Sequence, residues 1–158
     1  MASFNKRPII FPLSNPLTKS EASFEDCLKF TNGSVIFASG SPFTEVIIDG
    51  KLYEPNQGNN FYTYPGIGYG SIISETNELN DDMIYEASIA LANSLNDQEI
   101  KDGLLYPRLN RIREISAQVA ASVAKAALRT NVGQNLKLKE LNDDQLLNYI
   151  KYKQYDPN

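Results

Sequence analysis

Histidine is absent from the 158 residues. That removes the commonest general base near neutral pH and the commonest transition-metal ligand. Any triad built on histidine, and any ordinary catalytic zinc site, is excluded from this chain. Cysteine occurs once, at Cys27. A lone thiol closes no internal disulfide and suits a reducing compartment. No apolar run approaches the roughly 18 residues of a membrane span. An excess of positive charge is missing too: the formal net charge is −4 and the pI about 4.9. No basic face is therefore available to recruit nucleic acid or anionic lipid. The opening Met-Ala-Ser-Phe-Asn-Lys-Arg-Pro has neither an apolar signal core nor an Arg-rich amphipathic helix, so a cytoplasmic location is expected.

What is there begins with enough apolar residue, 42%, to form one domain with a real core. The most unusual stretch is Pro55 to Gly70. Its sixteen positions hold four amides (Asn56, Gln57, Asn59, Asn60) and four glycines (Gly58, Gly66, Gly68, Gly70) around Phe61, Tyr62 and Tyr64. Each amide offers a donor and an acceptor without charge. Gly58 permits a turn that brings them close to a ligand. The plainer reading is a turn leading into a tightly packed helix.

Upstream, Ile9 to Leu13 reads as a short buried strand that Pro12 brings to its end. Ser14-Asn15-Pro16 is a turn signal at the strand's C-terminal end, the edge where open α/β sheets bind ligands. Asn15 is a candidate ligand contact there; an Asx-turn capping the strand is the other reading. Ser23 with Asp26 marks a helix start, with Phe24, Cys27 and Leu28 on its buried face. Asn32-Gly33 ends that helix. Val35 to Ala38 reads as a second buried strand leading into Ser39-Gly-Ser-Pro-Phe43, whose backbone N–H groups are expected to be available to a phosphate or amide. Val46-Ile-Ile48, Asp49-Gly50 and Leu52-Tyr53 read as a hairpin.

Gly66, Gly68 and Gly70 do not have the spacing of a dinucleotide fingerprint. Small residues for close helix packing account for them better. The remainder is helical. Asn80 caps a helix with Ile84, Ala87, Leu91 and Leu95 on its apolar face, and Asp81-Asp82 complement its dipole rather than bind metal. Asn96 and Glu99 form a capping-box pattern for a short helix stopped by Gly103. The longest helix is expected to bury Leu109, Ile112, Ile115, Val119 and Val123. Arg108, Arg111 and Arg113 at its start read as a solvated face or as contacts to an anionic cofactor or another subunit. Residues 131–158 are more polar and carry one weak helix capped by Asn142 and Gln145. They read as a tail that docks on a partner or stays mobile.

Four segments stand in a fixed order: Ile10-Phe-Pro-Leu-Ser-Asn-Pro16; Phe37-Ala-Ser-Gly-Ser-Pro-Phe43; Gln57-Gly-Asn-Asn60 with Tyr64-Pro-Gly-Ile-Gly68; and Gly103-Leu-Leu-Tyr-Pro107 with Ile112-Arg-Glu114. Together they resemble the C-terminal part of the NAD(P)-binding domain of malic enzymes, from about Lys6 to Leu128. The resemblance implies an α/β fold: a partial Rossmann-like parallel sheet with flanking helices and a helical C-terminal half. It implies a domain over residues 1–130 followed by the polar tail. It also implies oxidative decarboxylation of L-malate to pyruvate with NAD or NADP and with Mg2+ or Mn2+. Asn15, Asn59 and Asn60 match positions that hold malate and the nicotinamide ribose side of the cofactor. Ser14 and Gly40 match backbone approaches to the cofactor.

The family's Gly-rich loop, tyrosine acid, lysine base and metal-binding carboxylates match nothing in this sequence. The expectation is therefore a fragment that keeps one wall of an active site and is inactive alone. Its expected partners are L-malate and NAD(P), with a homo-oligomer or docking on a full-length malic enzyme as the protein–protein contact. Docking as a non-catalytic module, or a vestigial product, is the alternative. A mitochondrial location is open to the complete enzyme.

Overall fold

The computed structural model describes residues 1–155. The strands are β1 (Ile9–Ile10), β2 (Ile36–Ser39), β3 (Val46–Ile48), β4 (Lys51–Tyr53) and β5 (Asn56–Gln57). The helices are α1 (Phe24–Phe30), α2 (Tyr64–Ser74), α3 (Asp81–Ala92), α4 (Asp97–Lys101), α5 (Ile112–Arg129) and α6 (Asp143–Lys153). These form two units. The first holds Met1–Asn59 and Asp97–Tyr106, the second Asn60–Asn96 and Pro107–Asn158.

In the first unit β1, β2 and β5 make a parallel sheet in the order β1-β2-β5. Ile9 lies opposite Ile36, Ile10 opposite Phe37, Ala38 opposite Asn56 and Ser39 opposite Gln57. One face is covered by α1 and the β3–β4 hairpin. There Phe24, Cys27, Leu28 and Phe37 are buried, with Val46, Ile48 and Tyr53 packed against them. The Phe24 and Phe37 rings stand 4.7 Å apart, and Phe43 meets Phe37 edge-on at 5.8 Å. Ser23 caps α1 by accepting from the Asp26 N–H. Asn32 and Gly33 follow α1 with positive φ, and the Gly33 N–H reaches back to the Leu28 carbonyl at 2.8 Å. Asp49 and Gly50, both with positive φ, close the hairpin as its strand twist requires.

The strand expected over Ile9–Leu13 is shorter, and its outer side is bare: Ile9, Phe11 and Leu13 are exposed. The reason lies in Pro12, which has no N–H to donate to a ladder. Its carbonyl instead accepts from the Gly40 N–H at 3.0 Å, so pairing passes from strand to turn.

The second unit is helical. α2 lies against α5, and the glycines show how closely. A Cβ on Gly66 would stand 2.6 Å from the Val119 side chain, and one on Gly70 would stand 2.6 Å from the Ala120 carbonyl oxygen. Gly68, between them, faces open space. The close-packing account of this Gly-x-Gly-x-Gly run holds for two of its three glycines. The aromatic run before α2 is structural as well, since Tyr62 is buried and its hydroxyl donates to the Pro107 carbonyl at 2.8 Å.

α3 is capped by Asn80, whose side chain accepts from the Met83 N–H. Its buried stripe is Met83, Ala87 and Leu91, whereas Ile84 is exposed. On α5 Ile115, Val119 and Val123 are fully buried, but Leu109 lies before the helix and is exposed. The tail expected to dock on a partner or stay mobile buries Leu138, Leu146 and Ile150, while Leu136, Tyr152 and Tyr155 stay exposed. Asn142 and Gln145 form the full capping box of α6, and Leu146 and Ile150 join Ile73 and Leu128 in one core. The last three residues of that tail lie outside the described residues.

Candidate functional site

Because β1, β2 and β5 run parallel, the turns that follow them leave the sheet at the same edge. Ser14 and Asn15 follow β1, Gly40 and Ser41 follow β2, and Gly58 and Asn59 follow β5. Four of the five residues expected at the site therefore lie beyond one sheet edge in one unit. Asn60 is the first residue of the second unit and begins the short turn Asn60–Tyr62. Asn15, Asn59 and Asn60 are all exposed.

Hydrogen bonds knit the turns together. The buried Ser39 hydroxyl lies 2.8 Å from the Ser41 carbonyl and 3.2 Å from the Asn56 carbonyl. The Gly58 N–H donates to the Ser39 carbonyl at 2.9 Å. Gln57 Nε2 donates to the Gly40 carbonyl at 3.2 Å. Ser41, also buried, donates its hydroxyl to Asn15 Oδ1 at 2.5 Å. A Cβ on Gly40 would collide with the Leu13 carbonyl, so only glycine fits between the two turns.

Two corrections follow from this network. Asn56 is turned inward, and Gln57 directs its Nε2 to a neighbouring turn. Asn56 is 7% exposed and its Oδ1 accepts the Leu105 N–H at 2.7 Å, while Gln57 ties two strand ends together. The turn after β2 was also expected to offer open N–H groups, yet that of Gly40 is bound to Pro12. The Ser14 N–H is likewise engaged, with the Glu21 carboxylate at 3.3 Å, and the Ser14 hydroxyl donates to the same group at 2.5 Å. The Ser14 hydroxyl, foremost, holds the Glu21 carboxyl below the usual glutamate range, with the N–H groups of Glu21 and Ser14 assisting. Neither Glu21 nor Ser41 could be singled out from sequence. Each is an ordinary polar residue whose partner is fixed by the turn.

The first unit also contains a cavity of about 550 Å3 beside Ser34 and Val35, which precede β2, and under Tyr53. Ser14, Asn15, Gly40 and Asn59 do not line it. Among the described residues no helix is long and apolar enough to cross a membrane.

A parallel sheet whose connecting turns leave at one end, flanked by helices, is a Rossmann-like α/β arrangement. Comparison with known proteins makes this specific. The family profile for "Malic enzyme, NAD binding domain" matches residues 1–128. The NADP-dependent malic enzyme of Populus trichocarpa is 44% identical over 140 residues, covering 89% of this chain and 24% of that protein. The mitochondrial NAD-dependent malic enzyme of Ascaris suum is 43% identical over 125 residues, 79% of this chain and 19% of that protein. The NADP-dependent malic enzyme of Rattus norvegicus is 42% identical over 130 residues, 82% of this chain and 23% of that protein. The chain belongs to the malic enzyme family, through its NAD-binding domain. It spans about a quarter or less of the length of these relatives.

Proposed function

We propose that this chain supplies the malate- and cofactor-facing wall of a malic-enzyme active site and does not complete the reaction by itself. Asn15, Asn59 and Asn60 orient L-malate and the nicotinamide ribose side of the cofactor, while Ser14 and Gly40 form backbone surface on the cofactor side. The observation that carries this reading is the shared edge: Asn15, Gly40 and Asn59 all follow C-terminal ends of parallel strands. Neutral amides suit the task. They donate to a carboxylate or carboxamide without placing a fixed charge beside a departing hydride. The nicotinamide of NAD or NADP, when bound, accepts that hydride. The residues present fit the carboxamide end of the cofactor better than its phosphates, since the Ser14 and Gly40 N–H groups are already used.

A divalent metal does not fit these residues. Among the described residues no three His, Cys, Asp or Glu side chains gather in a way that could hold one. Mg2+ or Mn2+ therefore belongs to the reaction only where carboxylates from outside this segment hold it.

The test is direct. Pure chain with L-malate, Mn2+ and either NAD+ or NADP+ is expected to produce no reduced cofactor, and clear turnover would overturn the reading. In the same chain, 15N NMR should show the side-chain amides of Asn15 and Asn59 shifting on addition of L-malate and NADP+. Unmoved amides at saturating ligand would sink it.

A second reading, docking on a full-length malic enzyme, draws on α3, whose Ile84, Tyr85 and Ile89 are exposed. Co-purification with such an enzyme supports it; a monodisperse monomer that captures none counts against it.

A further inference from the structure

We propose that the cavity under Tyr53 is a second binding site, which takes a small planar organic anion: a ring that carries a hydrogen-bond acceptor and an acid group. The site stands apart from Ser14, Asn15, Gly40 and Asn59, none of which lines it. Its volume, about 550 Å3, falls within the roughly 300–1,000 Å3 of small-molecule sites.

Asn56 marks the site. Its side chain is only 7% exposed, and its Oδ1 accepts from the Leu105 N–H at 2.7 Å. A backbone N–H can only donate, so this bond fixes the amide, with the oxygen toward Leu105 and Nδ2 turned away. Nδ2 meets no acceptor among the described residues. No side-chain nitrogen or oxygen among those residues is both sealed from solvent and unpaired. The Nδ2 group therefore faces an opening, and the opening that Asn56 lines is this cavity. A buried donor of fixed orientation is what selects an acceptor on a ligand.

Walls and rim complete the chemistry. Phe24, Phe37 and Tyr53 supply flat apolar surface. Gly33, with φ of +73°, makes room for the last of them, because a Cβ there would stand 2.6 Å from the Tyr53 hydroxyl. Arg7, Lys51 and Lys101 line the exposed side, together with the carboxylates of Glu54 and Asp102. Both acids are already engaged, Asp102 with Gln98 Nε2 at 2.8 Å. Arg7 and Lys51 have no carboxylate partner among the described residues. Lys51 Nζ is instead held over the Tyr53 ring, 4.7 Å from its centroid. An acid group at these cations, a ring between the aromatic walls and an acceptor on Asn56 Nδ2 satisfy the three regions at once.

The test uses the 15N-labelled full chain with para-acetylbenzoate as probe, a flat ring with a ketone oxygen and a carboxylate. Binding should shift the Asn56 side-chain amide and the backbone amides of Ser34, Val35 and Tyr53, and leave those of Asn15 and Asn59 in place. Benzoate, which lacks the ketone, and methyl para-acetylbenzoate, which lacks the charge, should each bind about tenfold more weakly, the scale of one hydrogen bond to each region. Asn56→Asp keeps an acceptor for Leu105 but removes the donors, and it should erase the preference for para-acetylbenzoate over benzoate. Arg7→Gln combined with Lys51→Gln, both at exposed positions, should erase the preference for the acid over its ester. An Asn56 side-chain amide unmoved at the solubility limit of the probe overturns the proposal, and so do equal affinities for the three compounds. Should Asn56→Asp not fold, the exposed double variant decides: an undiminished preference for the acid overturns the proposal.

Discussion

At the sheet edge of the first unit side chains reach across to neighbouring turns; between α2 and α5 of the second, backbones approach where side chains are missing. Around the sheet edge Ser39, Ser41, Asn56 and Gln57 spend their polar atoms on neighbouring turns. Between α2 and α5 two glycines take the place where side chains would otherwise keep the helices apart. A hydrogen-bonded edge fixes polar groups in orientation, which a binding surface needs. A close helix contact maximises dispersion over a small area and leaves little for a ligand to find. The difference teaches where to look for function: in the unit with short strands and many satisfied turn polars.

The sharpest way to break this comparison is at the glycines. Gly70→Ala should destabilise the chain by about 1–3 kcal/mol, because the new methyl meets the Ala120 carbonyl and the Val123 side chain. Gly68→Ala, two positions away on the same helix, meets nothing and should stabilise by up to about 1 kcal/mol. Urea unfolding of the two variants should therefore move in opposite directions; equal effects would deny the close contact.

The next effect belongs to the first unit. Asn56→Ala leaves the Leu105 N–H without its acceptor and should cost about 1–3 kcal/mol. Hydrogen exchange should then quicken at Leu105 and across β2 and β5, with the α2–α5 amides unaffected if the two units open separately. Uniform quickening would show them to be one cooperative body.

The smallest effect is a titration. Because the folded Glu21 carboxyl is held below its ordinary value, its contribution is fully present above the ordinary glutamate range and is lost as pH falls through the lowered value. The group is exposed, so the change in overall stability should be slight. A 13C titration of the Glu21 carboxyl should track the Ser14 amide shift, and Glu21→Gln should remove the shared step.

The two units were also unequally legible in the sequence. Capping residues read well because their chemistry is local: Ser23, Asn80 and the Asn142–Gln145 pair all cap as expected. The hairpin at Asp49-Gly50 read well for the same reason. Apolar spacing located α3 and α5 but misplaced their rims, exposing Ile84 and Leu109, because a helix ends its burial where its neighbour ends. The strands were harder. Only two residues of the expected Ile9–Leu13 strand pair, since a ladder depends on a partner far along the chain. At the sheet edge the motif order marked the turns that follow β1, β2 and β5. It gave no means of telling an outward amide such as Asn15 from an inward one such as Asn56. Asn15 stays exposed, whereas Asn56 is buried with its Oδ1 on the Leu105 N–H, a partner 49 residues further along the chain.

Leu105 has one more consequence. It belongs to the stretch Asp97–Tyr106, which completes the first unit after 37 intervening residues of the second (Asn60–Asn96). Synthesis runs from the N-terminus, so the Asn56 side chain emerges from the ribosome well before the N–H it will hold. A nascent or clipped product that stops short of Asp97 contains every strand of the sheet, yet its buried amide has nothing to grip. Such a product should be prey for proteases, although it carries all three of the amides proposed to face the ligand, Asn15, Asn59 and Asn60.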